Sequence, residues 1–247
     1  MGASERRERE REERRTLILE AARGVVLERG FAALTMDAVA KRAELSKGTL
    51  YLYFDSRDAL CAALGECNMQ RLLPQLRAAI GEASSGLVAI RALHHFQVSA
   101  FEAQPHMFRF IVGWLLSGEP LETSSPSFGA YREKVGEIIS LLMHTIERGK
   151  LDGSIRRDVD TLLQAKHLWA SFLGVFMLHL DRENDALRSP FPVDTRALLA
   201  LHEETILRAL SPEGRPLSPE GRPLSPEGEP LDREDALEPG ERDEVTP

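Results

Sequence analysis

The sequence predicts an all-α protein in which a small N-terminal group of helices precedes a larger helical region. Two observations support this fold class. Apolar residues recur at the three- and four-residue spacing of amphipathic helices along most of the first 210 residues. Clusters rich in glycine, proline and serine, such as GEASSG and SGEPLETSSPS, separate these segments, and no credible series of strands is seen between them.

Composition and charge narrow the class of protein. The chain has 247 residues, of which 43% are hydrophobic, 6% aromatic and 28% charged, which suits a soluble, helix-rich protein. The first 15 residues hold six arginines and five glutamates, and we find neither a signal peptide nor an apolar run near 18 residues. We therefore expect a cytoplasmic protein. The net charge of −8 comes largely from the last 37 residues, so it does not exclude a basic face near the N-terminus.

The N-terminal segment predicts four helices. The first ends at Gly30, a residue type common at helix C-termini. Thr35 is placed to cap a short second helix, MDAVAKRA, and Ser46 to cap a third, KGTLYLYF. A fourth helix is expected over residues 57–81, with a bend at Pro74. The apolar stripe of the first helix consists of Leu17, Ile18, Ala21, Ala22 and Val25.

Further helices are predicted at about residues 87–103, 105–117, 128–148, 160–181 and 194–210. The chain then reads L-SPEGRP-L-SPEGRP-L-SPEGEP-L, a repeat of seven residues. Two prolines per repeat forbid a coiled coil. We expect residues 211–247 to be a disordered, solubilising tail, with a partner-binding arm as the alternative.

Two short capped helices joined by the turn AELS match a helix-turn-helix. In this motif the first turn of the last helix enters the major groove of DNA. Gly48 would let the backbone of that helix approach the bases, while Leu50 and Phe54 face the core and Tyr51 and Tyr53 stay exposed. The alternative is that a glycine is simply tolerated in a first helical turn and that the tyrosines cover the core.

Residues 31–60, FAALTMDAVAKRAELSKGTLYLYFDSRDAL, resemble the N-terminal domain of the TetR family of bacterial transcriptional regulators. Two positions depart from the family pattern. Glu44 replaces the usual turn glycine, at an expected cost in backbone strain, and Arg57 replaces the usual lysine. The positions in register are Gly30-Phe31, Thr35, Val39-Ala40, Ala43, Ser46, Gly48, Tyr51, Tyr53-Phe54, Ser56 and Leu60.

The resemblance implies a DNA-binding site made of two groups of residues. Thr35, Tyr53 and Arg57 would contact phosphates, Arg57 with help from its helix N-terminus. Lys47 could serve either a guanine edge or a phosphate. The groove face would consist of Ser46, Lys47, Gly48, Thr49 and Tyr51.

The resemblance also divides the chain into functional parts. The fold expected is a three-helix helix-turn-helix domain followed by a helical ligand-binding and dimerisation domain. The predicted parts are a charged N-terminal arm (1–11), a DNA-binding domain (12–72) with its motif at 35–54, a regulatory and dimerisation domain (73–210) and the tail (211–247).

The segment LWASFLGVFMLHL, residues 168–180, is apolar almost all round and must bury two faces. Trp169, Phe172 and Phe176 are expected to face the core of their own chain. A small face on this helix, together with the last helix, predicts a four-helix dimer interface. The predicted interface residues are Ala170, Gly174, Leu198 and Leu201.

Ten of the fifteen aromatic residues lie between Phe96 and Phe176. They could line a pocket for a lipophilic or aromatic effector, or they could simply form a helical core. The candidate pocket residues are His94, His95, Phe101, Phe108, Trp114 and Met143.

Enzyme and metal motifs are absent from the sequence. H-E-x-x-H, G-x-S-x-G, G-x-G-x-x-G and phosphate-loop patterns do not occur, and no two histidines are four residues apart. His202-Glu203-Glu204 lacks a second histidine. We therefore expect no enzyme activity, no cofactor and no metal. Cys61 and Cys67, six residues apart on one helix, are expected to be reduced packing residues.

The function predicted from the sequence is a DNA-binding transcriptional regulator, a ligand-released repressor that acts as a homodimer on a palindromic operator. Its partners would be the operator, a second copy of the chain and a lipophilic or aromatic effector. The alternative is a helix-turn-helix interaction or architectural protein without an effector. An α-helical enzyme with a fused DNA-binding head lacks a catalytic constellation.

Overall fold

The computed structural model describes residues 2–115, 124–181 and 194–212, and within these ranges the protein is all-α, as predicted. None of the helices in these ranges is long and apolar enough to cross a membrane. Most of the predicted tail, residues 213–247, lies outside them. The helices are α1 (Ala3–Arg29), α2 (Met36–Arg42), α3 (Lys47–Tyr51), α4 (Arg57–Gly81), α5 (Gly86–Ala103), α6 (Pro105–Leu115), α7 (Pro126–Leu151), α8 (Thr161–Asp181) and α9 (Thr195–Leu210), with one 3₁₀ turn at Phe31–Ala33.

The chain packs as two compact units. The first unit contains Met1–Gln75 and Val98–Ile138, and the second contains Leu76–Gln97 and Ile139–Pro247. Helices α4, α5 and α7 contribute residues to both units. Part of the predicted regulatory domain therefore packs within the first unit. The division of binding roles at residues 72 and 73 stays a prediction.

Helix α1 begins earlier than its apolar stripe indicated. Residues 3–11 of the predicted charged arm form its first turns, where Arg6 and Glu10, one turn apart, form an ion pair at 3.7 Å. Among the described side chains, burial along this helix begins at Ile18. The helix stops at Gly30, as predicted, because this residue turns the chain with a φ of +77°.

Both short helices begin at their predicted caps. The Oγ1 atom of Thr35 accepts a hydrogen bond from the backbone N–H of Ala38 at 3.1 Å. The Oγ atom of Ser46 accepts one from the N–H of Thr49 at 3.0 Å. These bonds satisfy backbone donors that have no partner inside the helix. Helix α3 ends at Tyr51, so it is shorter than the segment KGTLYLYF suggested.

The turn between α2 and α3 depends on a residue in the left-handed conformation. Glu44 has a φ of +55°, the one positive φ of a non-glycine residue in the described ranges. The turn closes with a hydrogen bond from the N–H of Leu45 to the carbonyl of Ala40 at 2.9 Å. A residue with a Cβ atom costs roughly 1–2 kcal/mol in this conformation. The positive φ of Glu44 is therefore the source of the backbone strain that the sequence predicts at this turn.

The core of the first unit joins the short helices to an aromatic cluster. Leu50 and Phe54 are 0% and 2% exposed. Trp114 is also buried, stacks on Phe110 with ring centroids 6.3 Å apart, and meets the ring of Tyr131 edge-on at 5.2 Å. Large buried rings contribute much of the hydrophobic stabilisation of a helical domain. This core therefore supports the helix-turn-helix from behind.

Helix α4 continues past Pro74 and carries both cysteines of the chain. Cys61 and Cys67 are free thiols, as predicted. Burial raises the pKa of Cys61 to about 12, because a thiolate is poorly stabilised away from water. Cys61 is therefore a packing residue and not a reactive nucleophile.

In the second unit, the start of α5 and the end of α7 approach backbone to backbone. A Cβ atom placed on Gly86 would lie 2.2 Å from the Cα atom of Gly149. Two hydrogen bonds hold the approach: the N–H of Gly86 donates to Asp152 at 2.8 Å, and Arg148 donates to the carbonyl of Ser85 at 2.9 Å. No side chain larger than hydrogen fits at this contact.

Helix α8 buries one side and exposes the other. Phe172 and Phe176 lie in the core of the second unit, as predicted, with exposures of 4% and 0%. The core position predicted for Trp169 is wrong, because its side chain is 36% exposed. The buried stripe passes through Leu168 and Phe172, which leaves Trp169 at its edge, near the 40% exposed Met177.

Replacing Glu44 by glycine is expected to stabilise the protein by about 0.5–1 kcal/mol. Glycine removes the steric cost of the positive φ but loses part of that gain to the entropy of the unfolded chain. Urea unfolding monitored by circular dichroism would measure the change. Glu44→Ala is the matched control, because it removes the same carboxylate and keeps the Cβ atom. Equal stabilisation by both variants would contradict the steric explanation.

Replacing Gly86 by alanine is expected to destabilise the protein by about 1–3 kcal/mol or more, because the new methyl group overlaps a backbone that cannot rotate away. Gly136→Ala is the control. A Cβ atom at Gly136 meets nothing within 4 Å, so alanine should stabilise α7 by up to about 1 kcal/mol. The close approach would be refuted if both variants gained stability in urea unfolding.

Candidate nucleic-acid interface

Helix α3 is held by two buried anchors and presents its other residues to solvent. Leu50 and Phe54 fill the core behind it. On the outer side, Tyr51 is 42% exposed and Leu52 is 77% exposed. The predicted groove residues Ser46, Lys47, Gly48 and Tyr51 are exposed and Thr49 is half-buried. The structure thus places all five predicted groove residues on or next to α3, with their backbone fixed from behind.

Gly48 has no packing reason to be a glycine. A Cβ atom at this position would meet only the Oγ atom of Ser46, at an ordinary distance of 3.8 Å. Its backbone is helical, so the residue needs no positive φ either. The open space lies outside the chain. This observation excludes an internal packing constraint within the described residues and leaves two explanations, a close approach from outside and a glycine that is tolerated in a first helical turn.

Lys47 is paired with an acidic residue of α2. Its Nζ atom lies 2.9 Å from Oδ1 of Asp37, and both side chains are more than half exposed, at 53% and 71%. The hydrogen bond to Asp37 raises the pKa of Lys47, so its ammonium group stays charged. The same carboxylate partly neutralises the cation that the resemblance places at the groove.

Arg57 has a structural role that the sequence did not reveal. Its Nε atom donates to the carbonyl oxygen of Leu34 at 2.7 Å. Its guanidinium carbon lies 4.4 Å from the ring centroid of Phe31, within the range of a cation–π contact. Arg57 therefore joins the start of α4 to the 3₁₀ turn that precedes α2. The predicted phosphate contact would have to be made by the remaining donors of the same side chain.

The other two predicted phosphate contacts have different surroundings. Thr35 is exposed at the start of α2, and its hydroxyl oxygen already accepts the capping hydrogen bond. Tyr53, which we expected to be exposed, is half-buried and packs against the core of the first unit. A hydroxyl group can still donate while its oxygen accepts, so the cap leaves Thr35 one donor for a phosphate.

A clamp between α1 and α2 was not predicted. Arg42 donates from both terminal nitrogens to the two carboxylate oxygens of Glu28, each at 2.7 Å. The guanidinium group lies over Gly24, where a Cβ atom would approach it to 2.4 Å. Two parallel hydrogen bonds of this kind fix orientation as well as distance. The clamp ties the end of α2 to α1 at the surface.

The six predicted pocket residues divide between the two units: Phe101, Phe108 and Trp114 belong to the first, and His94, His95 and Met143 to the second. Within the first unit, Phe101 and Trp114 are 2% and 1% exposed and pack against neighbouring rings. These contacts suit the alternative that the aromatic residues form a core. An effector pocket lined by all six residues stays a prediction.

A cluster of histidines around one glutamate lies in the second unit. His94 and His95 of α5 both approach Glu203 of α9, at 3.4 and 3.1 Å. The approach of His94, and then that of His95, favours the charged carboxylate and lowers the pKa of Glu203. Burial, and then the neighbouring His94 and His167, lowers the pKa of His202 to about 4. More than a hundred residues separate the two halves of this cluster, so no local motif could have indicated it.

Three of the four predicted dimer residues lie on faces of α8 and α9 that the described part of the chain leaves exposed. Ala170 and Gly174 are exposed, and a Cβ atom at Gly174 would meet nothing within 4 Å. Leu201 is 58% exposed, whereas Leu198 is half-buried. An apolar face of this kind is a candidate for a partner helix. The interface itself stays a prediction.

Comparison with known proteins agrees with the position of this site. The family model described as "Bacterial regulatory proteins, tetR family" matches residues 18–64, which contain α2 and α3. The transcriptional regulator UidR of Escherichia coli strain K12 is 37% identical over 186 residues, which cover 75% of this chain and 90% of that protein. The transcriptional repressor KstR2 of Rhodococcus jostii is 27% identical, over 63% of this chain and 74% of its own.

Solved structures show the same fold at low sequence identity. The fatty acid degradation regulator FadR of Bacillus halodurans superposes with a TM-score of 0.61 at 20% identity, over 78% of this chain and 94% of that one. FadR of Bacillus subtilis, solved in complex with stearoyl-CoA, gives 0.63 at 16% identity, over 79% and 98%. The family model, the likeness to UidR over most of both chains and the shared fold all point to one family. The chain belongs to the TetR family of bacterial transcriptional regulators.

Proposed function

We propose that this regulator is a repressor that binds a palindromic operator as a homodimer and leaves it when an effector binds. The observation that carries the proposal is the arrangement of α3. Its backbone is fixed by buried anchors, and its exposed first turn contains Gly48, where the chain leaves open space on the outer side. DNA is the partner that such a turn fits in a protein of this family.

In the proposed complex, α3 lies in the major groove, and the N-termini of α2 and α4 face the phosphates. Ser46, Lys47, Gly48, Thr49 and Tyr51 form the groove face, and Thr35, Tyr53 and Arg57 form the phosphate contacts. Lys47 must turn from Asp37 to a base edge or a phosphate when DNA binds. The release of this ion pair is a cost that sequence-specific contacts have to exceed.

Dimerisation is proposed to occur through α8 and α9. Ala170 and Gly174 offer a flat exposed strip on α8, and Leu198 and Leu201 contribute from α9. Small residues let a partner helix approach closely, and two helices from each chain would form a four-helix bundle. Two chains related by a twofold axis present two α3 helices, which calls for two half-sites with matching symmetry.

Release is proposed to follow from a change in the spacing of the two α3 helices. Helix α4 begins next to α3 in sequence and contributes residues to both units. An effector that binds one arrangement of this helix better than another shifts the protein towards that arrangement. Two half-sites cannot be occupied together once the spacing no longer matches the operator.

A lipophilic effector is the class that we propose. One relative with this fold was solved in complex with stearoyl-CoA, and another is named a ketosteroid regulator. Those ligands belong to those proteins. For this chain the effector proposal rests on the aromatic content of residues 96–176. Because a regulator must reach its DNA, we also propose that the protein acts in the cytoplasm.

The alternative from the sequence, an architectural or interaction protein without an effector, predicts a different pattern on DNA. Purified protein mixed with fragmented genomic DNA should recover a small set of sites that share one palindrome. Recovery of a symmetric site supports the proposal. Recovery of fragments at random would favour the architectural alternative, and recovery of none would refute DNA binding.

Lys47→Ala is expected to weaken binding to the operator by roughly 5- to 150-fold and to random DNA much less, if Lys47 contacts a base edge. Competition binding at two salt concentrations would measure both losses. An equal loss on operator and random DNA would show that Lys47 contacts a phosphate. In that case the salt dependence should fall by about one unit per chain.

Asp37→Asn is expected to strengthen DNA binding at low salt, because it removes the carboxylate that holds Lys47 and repels phosphate. Glu82→Gln is the matched control, since Glu82 is an exposed carboxylate at the end of α4, away from α2 and α3 in sequence. The gain from Asp37→Asn should be smaller in a Lys47→Ala background, where only the repulsion between Asp37 and phosphate is left to remove. A gain of the same size from both charge removals would contradict the specific role of Asp37.

Gly174→Leu is expected to weaken dimerisation, because it adds bulk where two helices are proposed to touch. Within the described ranges no atom lies within 4 Å of a Cβ atom at this position, so we expect folding to be retained. Sedimentation at low micromolar concentration would measure the dimer, and circular dichroism would check the fold. A mutant as dimeric as the parent would show that the interface lies elsewhere.

A further inference from the structure

Three side chains of the second unit bring potential metal ligands to one point. Oε2 of Glu203 lies 3.1 Å from Nε2 of His95 and 3.4 Å from Nδ1 of His94. All three ligand atoms lie within 4.8 Å of one another. The two histidines come from α5 and the glutamate from α9, so the point joins two helices that are distant in sequence.

Two histidine rings at this point, the buried His94 and the half-buried His202, have buried nitrogens without hydrogen-bond partners. His94 is 7% exposed, and apart from the 3.4 Å approach of its Nδ1 atom to Glu203 neither ring nitrogen has a partner within the described part of the chain. The same holds for both ring nitrogens of His202, whose ring centroid lies 5.4 Å from that of His94. Buried polar atoms without partners are costly and normally have a water or an ion beside them.

The cavity beside these rings is very small. It has a volume of about 10 Å³ and is lined by residues that include His94, His202, Glu203 and Leu168. A cavity of this size holds about one water molecule or one ion. An organic effector does not fit here. The unpartnered nitrogens and the size of the cavity suit a single small occupant. The cavity is lined by His94 and Glu203 but not by His95, whose exposed side chain would have to move to reach the occupant.

We propose that His94, His95 and Glu203 bind a divalent transition-metal ion of the zinc class, with His202 as the neighbouring candidate for a fourth ligand. Imidazole and carboxylate ligands suit zinc, cobalt and nickel, whereas magnesium and calcium prefer sites made of oxygen alone. In a tetrahedral site with bonds of about 2.0–2.1 Å, adjacent ligand atoms lie roughly 3.3–3.4 Å apart. The 3.4 Å distance from His94 to Glu203 matches this spacing, and the 3.1 Å distance from His95 is slightly shorter. The exposed side chain of His95 can adjust to the ion.

Arg91 supports the carboxylate without occupying the ligand position. Its Nε atom lies 3.5 Å from Oε1 of Glu203, and the side chains are 13% and 22% exposed. The other oxygen, Oε2, stays directed at the histidines. Outer contacts of this kind orient ligands in known metal sites. The ion would tie α5 to α9 within the second unit, and this binding does not depend on the proposed DNA function.

The test is a titration of the untagged full-length protein with cobalt(II), followed by displacement with zinc(II). We expect one cobalt per chain, with visible absorption in the range of tetrahedral or five-coordinate sites, and loss of that absorption when zinc is added. Magnesium in excess should not displace the cobalt. Glu203→Gln and His95→Ala should each weaken metal affinity by at least tenfold, since loss of even an outer-shell partner typically costs about 10- to 100-fold.

His144→Ala is the matched control, because His144 is an exposed histidine of α7 outside the cluster. It should bind cobalt as the parent does. Zinc should also raise the melting temperature of the parent and of His144→Ala but not of Glu203→Gln. The proposal is overturned if no cobalt binds, if the two ligand variants bind as tightly as the parent, or if His144→Ala loses affinity equally. Circular dichroism confirms that each variant is folded before it is scored.

Discussion

The burial of Leu50 and Phe54 is the interaction on which the proposed DNA-binding surface depends. A helix of five residues is not stable by itself in water, because the free energy lost on nucleating the helix exceeds the free energy gained from the hydrogen bonds of one turn. Helix α3 holds its place since these two side chains are anchored in the core and Ser46 caps its first turn. The side chains that anchor the helix therefore lie on its buried side and not on its exposed side. Lys47 and Gly48 are exposed on this side, where they are available to an outside partner.

Two cationic side chains near this surface already interact with other groups of the same chain. Asp37 pairs with Lys47, and Arg57 uses its Nε atom on a backbone carbonyl. Both cations are therefore engaged before any partner arrives, and a partner must offer more than a negative charge. Non-specific attraction is weakened more than a well-fitted contact, because only the latter replaces the lost hydrogen bonds with good geometry. The arrangement favours discrimination over raw affinity.

Local signals predicted much of the fold, and long-range contacts account for what was missed. Caps at Thr35 and Ser46 and the stop at Gly30 depend on a few neighbouring residues, so the sequence revealed them. The role of Arg57 depends on a carbonyl 23 residues away, and Trp169 was misplaced because helical periodicity does not fix where a buried stripe ends. The histidine cluster unites α5 with α9, and only the fold brings these together. The position of the candidate DNA contacts on and beside α3 followed from the sequence, whereas the partners of Lys47 and Arg57 within the chain did not, and the contacts to DNA stay a prediction.

The length of α1 has a mechanical consequence. Before burial begins at Ile18, the helix continues for some 22 Å, estimated from its rise per residue, with charged side chains all round. An isolated helix of this size is marginal in water, and its ion pairs between successive turns are screened by salt. Concentrated salt should therefore lower the helix content of this segment relative to dilute buffer. The distance between the first buried turn and Ala3 then changes with ionic strength.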